Sequence, residues 1–497
     1  MSGTQAELRG FRAGGRPAAE ASRPAAALEG GKTFRAYEPD QLLLMPPSLA
    51  DWLPDDHLAR FIDEVVETVL DLGAIYAAYE EVRGGPPYDP RLMLKVLLYG
   101  YATGVRSSRR LERHCLEDVA FRFLAANQQP DFRSLARFRR RHLGALEELF
   151  VQTVRVCATA GLVKLGRIAI DGTKLRANAS RHKAMSYGRM VARERQLQAE
   201  IAALRRQLAG LLAEAEQVDA AEDARFGVDR RGDELPTELA RRESRLARIR
   251  AAQAALEAEA VARAAAPHAT AEGDGSGRDD PPSPPAAPTS GGRVRRVTPA
   301  GQAQRNFTDP DSKIMRTADK AFHQCYNGQA AVDASCQVIV AATLSNQAAD
   351  APHLPGLLGQ VSANVGRPPR QTLADAGYYS EDNLISICGA GSDPLIATGR
   401  LKHTDPVPPA PRGRIPKEAT LKQRMARKLR TQRGRAAYAR RKAIVEPVFG
   451  QLRTVQQGGQ LLLRGLDAAR AEWRLHCACH NLLKLFRNGG TARLALA

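Results

Sequence analysis

One short apolar run that stops on a carboxylate constrains this chain more than any other feature. In Arg167-Ile-Ala-Ile-Asp171-Gly-Thr-Lys174, β-branched residues lead to Asp171 and then to glycine, the pattern of a strand that presents an acid at the rim of a sheet and turns. Two other acids have comparable settings, Asp375 in Thr372-Leu-Ala-Asp375-Ala-Gly-Tyr-Tyr-Ser380 and Glu446 in Ala443-Ile-Val-Glu446-Pro-Val-Phe-Gly450. Ionised groups are rarely embedded in apolar sequence without a partner. A divalent cation is such a partner, and three carboxylates around one or two Mg²⁺ (or Mn²⁺) ions are what metal-assisted attack on a phosphodiester requires. Taken singly, each acid reads equally well as an exposed or capping group. Together, Asp171, Asp375 and Glu446 imply metal-dependent phosphoryl transfer on nucleic acid.

Composition supports a polyanionic partner. Lys plus Arg number 73 against 54 Asp plus Glu, a net charge of +19 over 497 residues, and double-stranded DNA is the natural complement to such an excess. Codon usage alone also produces arginine-rich chains, so the charge gains meaning only beside the motifs. The length leaves room for two or three domains and a large core. The 7 cysteines are scattered and odd in number, which fits a reducing cytoplasm and, for a DNA-acting protein, the nucleoid. His476-Cys477-Ala-Cys479-His480 has the residue types of a zinc site. Its flanks, Trp473, Leu475, Leu482, Leu483, Leu485 and Phe486, form a helical apolar pattern, and a packed helix is the reading they favour. No apolar run approaches the ~20 residues of a membrane span, and residues 1–33 lack a signal-peptide core.

Read in order, the chain opens with a Gly/Ala/Arg/Pro-rich tail expected to be disordered. Helical patterning runs from Leu42 to Phe150. Asp89-Pro90 predicts a cap and first turn, Met93, Leu94, Leu97, Leu98 and Tyr101 keep one face, and Gly104 ends the helix. Ser107 and Ser108 are candidate caps for the next helix. Ser134 is expected to open a further one, with Leu135, Phe138 and Leu146 inward and Arg137, Arg139, Arg140, Arg141 and His142 largely outward. Short helices ending in an arginine-rich one suit a helix-turn-helix-like DNA-binding domain; a merely solvated basic face is the alternative.

After the first strand an insert intervenes. Leu197, Ile201, Leu204, Leu208 and Leu211 alternate four- and three-residue steps, and Leu239, Leu246, Ile249 and Leu256 continue on a second helix. Glycines and a proline between Phe226 and Pro236 predict an antiparallel hairpin, whose role stays open between dimerisation, DNA contact and self-packing. A Pro/Gly/Ser linker follows. Gln324–Ala334 and Cys336–Leu344 then read as a β-hairpin, Pro352–Val361 as a covering helix and Gln371–Ala374 as the strand delivering Asp375. Ser380 caps a helix, and Pro394–Ala397 is a fifth strand. The basic stretch Lys417–Lys442 is expected to track a phosphate backbone. Arg453, seven residues after Glu446, falls near the same helix face and can hold a terminal phosphate. Asp309, Asp311 and Asp333 are further acids without a ranking.

At four stretches the sequence resembles the DDE transposases of bacterial insertion sequences, the group with an InsH-type N-terminal domain. They are Ile170-Asp171-Gly-Thr-Lys-Leu-Arg-Ala-Asn178, Tyr326-Asn-Gly-Gln-Ala-Ala-Val-Asp333, Ala374-Asp375-Ala-Gly-Tyr-Tyr-Ser380 and Ile444-Val-Glu446-Pro-Val-Phe-Gly-Gln-Leu-Arg453. The family's third motif steps through Tyr, Arg, Glu and a basic residue. Here Glu446 and Arg453 fill the last two places, strict spacing puts Ala439 and Lys442 in the first two, and Tyr438 and Arg441 lie one residue out.

The resemblance implies an α+β, mixed αβ architecture. A disordered tail (1–35) precedes a helical DNA-binding domain (36–160). An RNase H-like catalytic domain (161–187 and 305–487) is interrupted by a coiled-coil hairpin (188–263) and a disordered linker (264–304). It also implies recognition of terminal inverted repeats, with Arg137, Arg139, Arg140, Arg141, Lys442 and Arg453 as candidate DNA contacts, and assembly as a homodimer or higher oligomer on element ends and target DNA. A nuclease that cuts without joining and an inactive DNA-binding repressor are the competing functions.

Overall fold

The computed structural model describes residues 48–79, 87–180, 183–222, 234–265, 298–399 and 409–489, without the side chains of 208–239 and 265. The expected tail, most of the expected linker and most of the expected 226–236 loop lie outside these residues. Contacts divide the chain into Met1–Trp52 and Leu53–Ala497. In the first unit the described part is Ser48 and a single 3₁₀ turn, Leu49–Trp52.

The larger unit begins with helices α1 (Leu58–Thr68), α2 (Gly73–Tyr76), α3 (Pro90–Thr103), α4 (Ser108–Glu117), α5 (Val119–Leu124), α6 (Phe132–Arg141) and α7 (Leu143–Thr159). In α3 the Asp89 carboxylate accepts from the Arg91 N–H at 2.8 Å, and Gly104, left-handed at φ 84°, closes the helix. Helix α6 starts two residues before the expected Ser134. Asp131 caps it, accepting from the Arg133 and Ser134 N–H groups at 2.8 and 3.0 Å, while the Ser134 hydroxyl itself donates to Asp131.

The arginine face of α6 is split rather than uniformly outward. Arg137 and Arg140 are exposed, and Arg141 is exposed with its guanidinium 4.7 Å from the Tyr79 ring centroid. Arg139 is only 5% exposed: its guanidinium donates to the Tyr101 hydroxyl and the Arg106 carbonyl, both at 3.0 Å, and to Ser108 Oγ. His142 is buried beside Tyr79 and Phe138. Positions 135, 138, 139 and 142 form one helical stripe, so Arg139 and His142 share the inner face with Leu135 and Phe138. Arg139 is a hydrogen-bonded core residue and is withdrawn as a DNA contact.

Next come β1 (Ile168–Arg176), β2 (Ala184–Ser186), α8 (Tyr187–Glu222), α9 (Glu234–Ala265), β3 (Gln304–Asn306), β4 (Lys313–Arg316), β5 (Phe322–Asp333) and β6 (Ile339–Ser345). They are followed by α10 (Leu354–Val365), β7 (Gln371–Ala374), α11 (Glu381–Gly389), β8 (Asp393–Ile396), α12 (Leu421–Arg430), α13 (Gln432–Thr454) and α14 (Leu466–Arg487). A 6-stranded mixed sheet runs β4-β5-β1-β7-β8, with β6 also on β5. This is the RNase H-like arrangement expected.

Strand β1 does not turn after Asp171. Antiparallel pairing with β5 holds it extended from Ile168↔Asp333 to Arg176↔Cys325. On its other edge the parallel pairing with β7 stops at Ile170↔Ala374. Asp171 is therefore mid-strand on one side and at a strand end on the other.

Helix α14 runs through the core that joins the N-terminal helices to the sheet. Its Trp473 is fully buried, stacks on Phe449 and donates from Nε1 to the Gln329 carbonyl at 3.3 Å. His476, Cys477, Cys479 and His480 are all buried on this helix, with His480 Nε2 2.9 Å from the Gln337 carbonyl. Packing accounts for them.

The insert has a seam of its own. Met190, Leu197 and Ile201 on α8 meet Leu246, Ile249, Ala252 and Leu256 on α9. Contacts Tyr187–Glu257, Arg250–Glu194 and Arg242–Glu200 set the helices antiparallel. Leu208, Leu211 and Leu239 fall outside the described side chains. At its root, β2 and β3 pair with Ser186 opposite Gln304.

Candidate active site

Continuing the β1–β7 register one step past Ile170↔Ala374 sets Asp375 beside Asp171 on the same sheet face, because paired residues of parallel strands point the same way. Asp171 Oδ1 accepts from the Gly172 N–H at 2.8 Å, and Oδ2 meets Arg441 Nη1 at 3.1 Å. Burial pushes the Asp171 carboxyl up to about 6, with Arg441 opposing and the neighbouring Asp375 adding to the rise. Asp375 caps the 3₁₀ turn Ala376–Tyr378, accepting from the Gly377 N–H at 2.9 Å.

Helix α13 lies across this edge, against β1, β5 and β7. Its buried stripe is Arg441, Ile444, Val445, Val448, Phe449 and Leu452, and one step away Lys442 is exposed. Arg441, not Lys442, is thus the basic residue of the site, with Tyr438 one turn before it on the same helix and within its electrostatic reach. Pro447 leaves the Ala443 carbonyl without its helical donor, and Gln337 Nε2 donates to that carbonyl at 3.0 Å instead. This fixes the helix one turn before Glu446, which is itself exposed. Arg453 shares the Glu446 stripe and donates to Thr173 Oγ1. Thr173 lies two residues beyond Asp171 on the same strand face.

The structure brings Asp171 and Asp375 together, with Arg441 as countercharge. Glu446 does not complete a cluster: among the described residues no three His, Cys, Asp or Glu side chains are close enough to hold one ion. The pair nonetheless suits a hard divalent cation. Both offer carboxylate oxygens, the donors such ions prefer, Asp171 is desolvated, and one guanidinium against two carboxylates leaves a net negative charge.

Two family models match the chain. The first, Transposase domain (DUF772), covers residues 47–141, and the second, Transposase DDE domain, covers residues 302–482. The chain belongs to the DDE transposases. No curated protein and no solved structure matches it. The Asp171 strand lies between the two matched stretches of the transposase and is joined to the second by its pairing with β5 and β7. Helices α8 and α9 lie outside both.

A polar network on the opposite face of β1 was not foreseen. Asp350 Oδ1 accepts from Asn327 Nδ2 at 2.7 Å, Gln329 Nε2 at 2.8 Å and Lys174 Nζ at 3.2 Å. The Tyr378 hydroxyl donates to Gln329 Oε1. A Cβ on Gly172 would stand 2.5 Å from Gln329 Nε2 and 3.0 Å from Asp350 Oδ1, so glycine beside the first aspartate is a condition of this network. The stretches bearing Asp171, Gln329 and Tyr378 are thereby tied into one object. In sequence Asp350 stands where a helix cap would, just before Ala351-Pro352. Its side chain makes no capping bond, and no local pattern reveals partners 21 to 176 residues away.

Proposed function

We propose that this transposase binds the terminal inverted repeats of an insertion sequence, cuts DNA at the element ends and joins the freed ends to target DNA, with Asp171, Asp375 and Glu446 as the carboxylates that hold Mg²⁺ (or Mn²⁺). The observation that carries the reading is desolvated Asp171 with Asp375 beside it on one sheet face, offset by Arg441. When bound, the metal activates the attacking hydroxyl and stabilises the leaving 3′-oxygen.

The chain's own residues orient the reactants. Arg441 fixes the Asp171 carboxylate and favours its ionised form against burial. The Asp350–Gln329–Tyr378 network holds β1 and the Asp375 turn in register from behind. Arg453, anchored on Thr173, reaches the face where a scissile phosphate would lie, and its guanidinium matches phosphate geometry. Arg137, Arg140, Arg141 and Lys442, all exposed, contact the DNA backbone. The reaction takes place on DNA in the cytoplasm, within a homodimer or higher oligomer. The domain plan is a tail (1–35), a DNA-binding domain (36–160), a catalytic domain (161–187 and 305–487), a hairpin insert (188–263) and a linker (264–304).

Incubation of the full chain with labelled duplex carrying the element's own ends, target plasmid and Mg²⁺ tests this. Strand-transfer product is expected. Cleavage without joining would reassign the protein as a nuclease, and retarded but intact DNA would reassign it as a repressor.

A further inference from the structure

Where the insert meets the catalytic domain there is a groove of ≈ 880 Å³ lined by Lys183, Arg241, Arg245, Arg248 and Arg464 among others, with no acidic residue in its wall. All five cations are exposed, and none is paired with an acid among the described residues. Their neighbours on α9 behave differently: Arg242 is paired with Glu200 at 3.4 Å and Arg250 with Glu194 at 2.9 Å. Glu194 and Glu200 are thus spent elsewhere, and among the described residues the groove keeps uncompensated positive charge, which repels itself unless a polyanion enters.

The geometry points to the phosphodiester backbone of duplex DNA: we propose that this groove is a second DNA-binding surface, separate from α6, that holds DNA alongside the strand carrying Asp171. Arg241, Arg245 and Arg248 follow a four- and three-residue step, so they form one stripe spanning about 10 Å, three nucleotide rises of about 3.4 Å each along one DNA strand. The facing wall is the continuation of β1. Arg464 donates to the Asn178 carbonyl at 3.0 Å, two residues beyond the end of that strand, and Lys183 precedes β2. Ile249, Met185 and Phe307 give the groove an apolar floor, leaving the arginine heads as its polar reach. The proposal rests on the DNA-binding reading above and extends it to Lys183 and the α9 arginines, which lie outside both matched family stretches.

The test compares the full-length chain with two triple variants of equal charge change. One is Arg241→Glu/Arg245→Glu/Arg248→Glu in the groove; the other is Arg189→Glu/Arg195→Glu/Arg206→Glu on exposed positions of α8. Binding to labelled end duplex is measured from 0.05 to 0.3 M salt, roughly the range where counterion release dominates, with the melting curve of each protein recorded alongside. The groove variant should bind at least about tenfold more weakly at the low-salt end, and its log–log slope should be shallower by about 2.7, three contacts at about 0.9 each. The α8 variant should stay within about twofold of the unaltered chain. Equal losses in both variants would reduce the effect to net charge and overturn the groove. So would unchanged binding by a normally melting groove variant. An Arg→Gln triple variant at the same groove positions replaces the Glu variant if the latter melts early. If the unaltered chain binds end DNA without cutting it, the catalytic reading fails while the groove stands; if it binds no DNA, both fail.

Discussion

Charge is handled in opposite ways by the catalytic sheet and the insert. In the sheet, Arg441 meets Asp171 at 3.1 Å with their side chains 11% and 22% exposed, and Asp350 gathers three donors beneath the strand. In the insert, Arg205 meets Glu243 at 2.6 Å with 65% and 42% of their side chains in solvent, while the apolar seam is buried. A buried charge left alone keeps its desolvation cost, whereas an exposed one is rehydrated. Ion pairs of similar length should therefore matter very differently for stability.

Matched truncations break or sharpen that contrast most strongly. Arg441→Met should cost about 3–5 kcal/mol by stranding Asp171, against less than about 1 kcal/mol for Arg205→Met, both read from urea melts. Similar costs would erase the distinction between the regions. Loss of Arg441 also removes the influence that lowers the Asp171 pKa, so the acid limb of any Mg²⁺-dependent cleavage profile should move to higher pH.

Proton linkage gives the next effect. Asp171 titrates near 6 in the folded chain, above its ordinary value, so the proton it binds stabilises the fold at low pH, and this contribution is lost as pH rises through about 6. The melting-temperature difference between the unaltered chain and Asp171→Asn should therefore shift against the unaltered chain between about pH 4 and pH 6, the span separating the two titrations. Mg²⁺ should act in the opposite sense, raising the melting temperature more at pH 7 than at pH 5, because only the ionised carboxylate binds it. A pH-independent difference would remove the desolvated acid from the account.

The smallest effect is expected from the largest deletion. Ser186 and Gln304 are paired across the root of the insert, so replacing residues 188–303 with a short Gly/Ser linker joins two neighbouring strands. The product should keep one cooperative melt within a few degrees of the full chain, roughly the shift of 1 kcal/mol in a domain of this size. Loss of cooperativity would show that the seam of α8 and α9 supports the main core.

What the sequence made legible follows the same division between local and distant causes. Asp89 and Gly104 bounding α3, Ser380 capping α11, the β5–β6 hairpin and the strand delivering Asp375 are each decided within a few residues, and each is found where read. Strand β1 outruns the expected turn at Gly172 because β5, some 150 residues later, holds it extended. Arg139 looked like part of a basic face, yet the helical step places it on the stripe of Leu135 and Phe138, with partners on α3 and α4. Arg441 displaces Lys442 for a similar reason, since packing against β1 chooses the residue and motif counting misses by one. The three-residue strands at the root of the insert are too short to stand out from loop.

The central claim is that Asp171, Asp375 and Glu446 work as one metal-dependent centre, and single-turnover cleavage of labelled element-end duplex tests it most directly. Asp171→Asn, Asp375→Asn and Glu446→Gln should each slow Mg²⁺-dependent cleavage by at least about 10³-fold, some 4 kcal/mol of barrier, while binding the same duplex within a few-fold of the unaltered chain. Retention of full cleavage by Glu446→Gln, the residue the structure leaves exposed and outside the aspartate pair, would contradict the three-carboxylate centre.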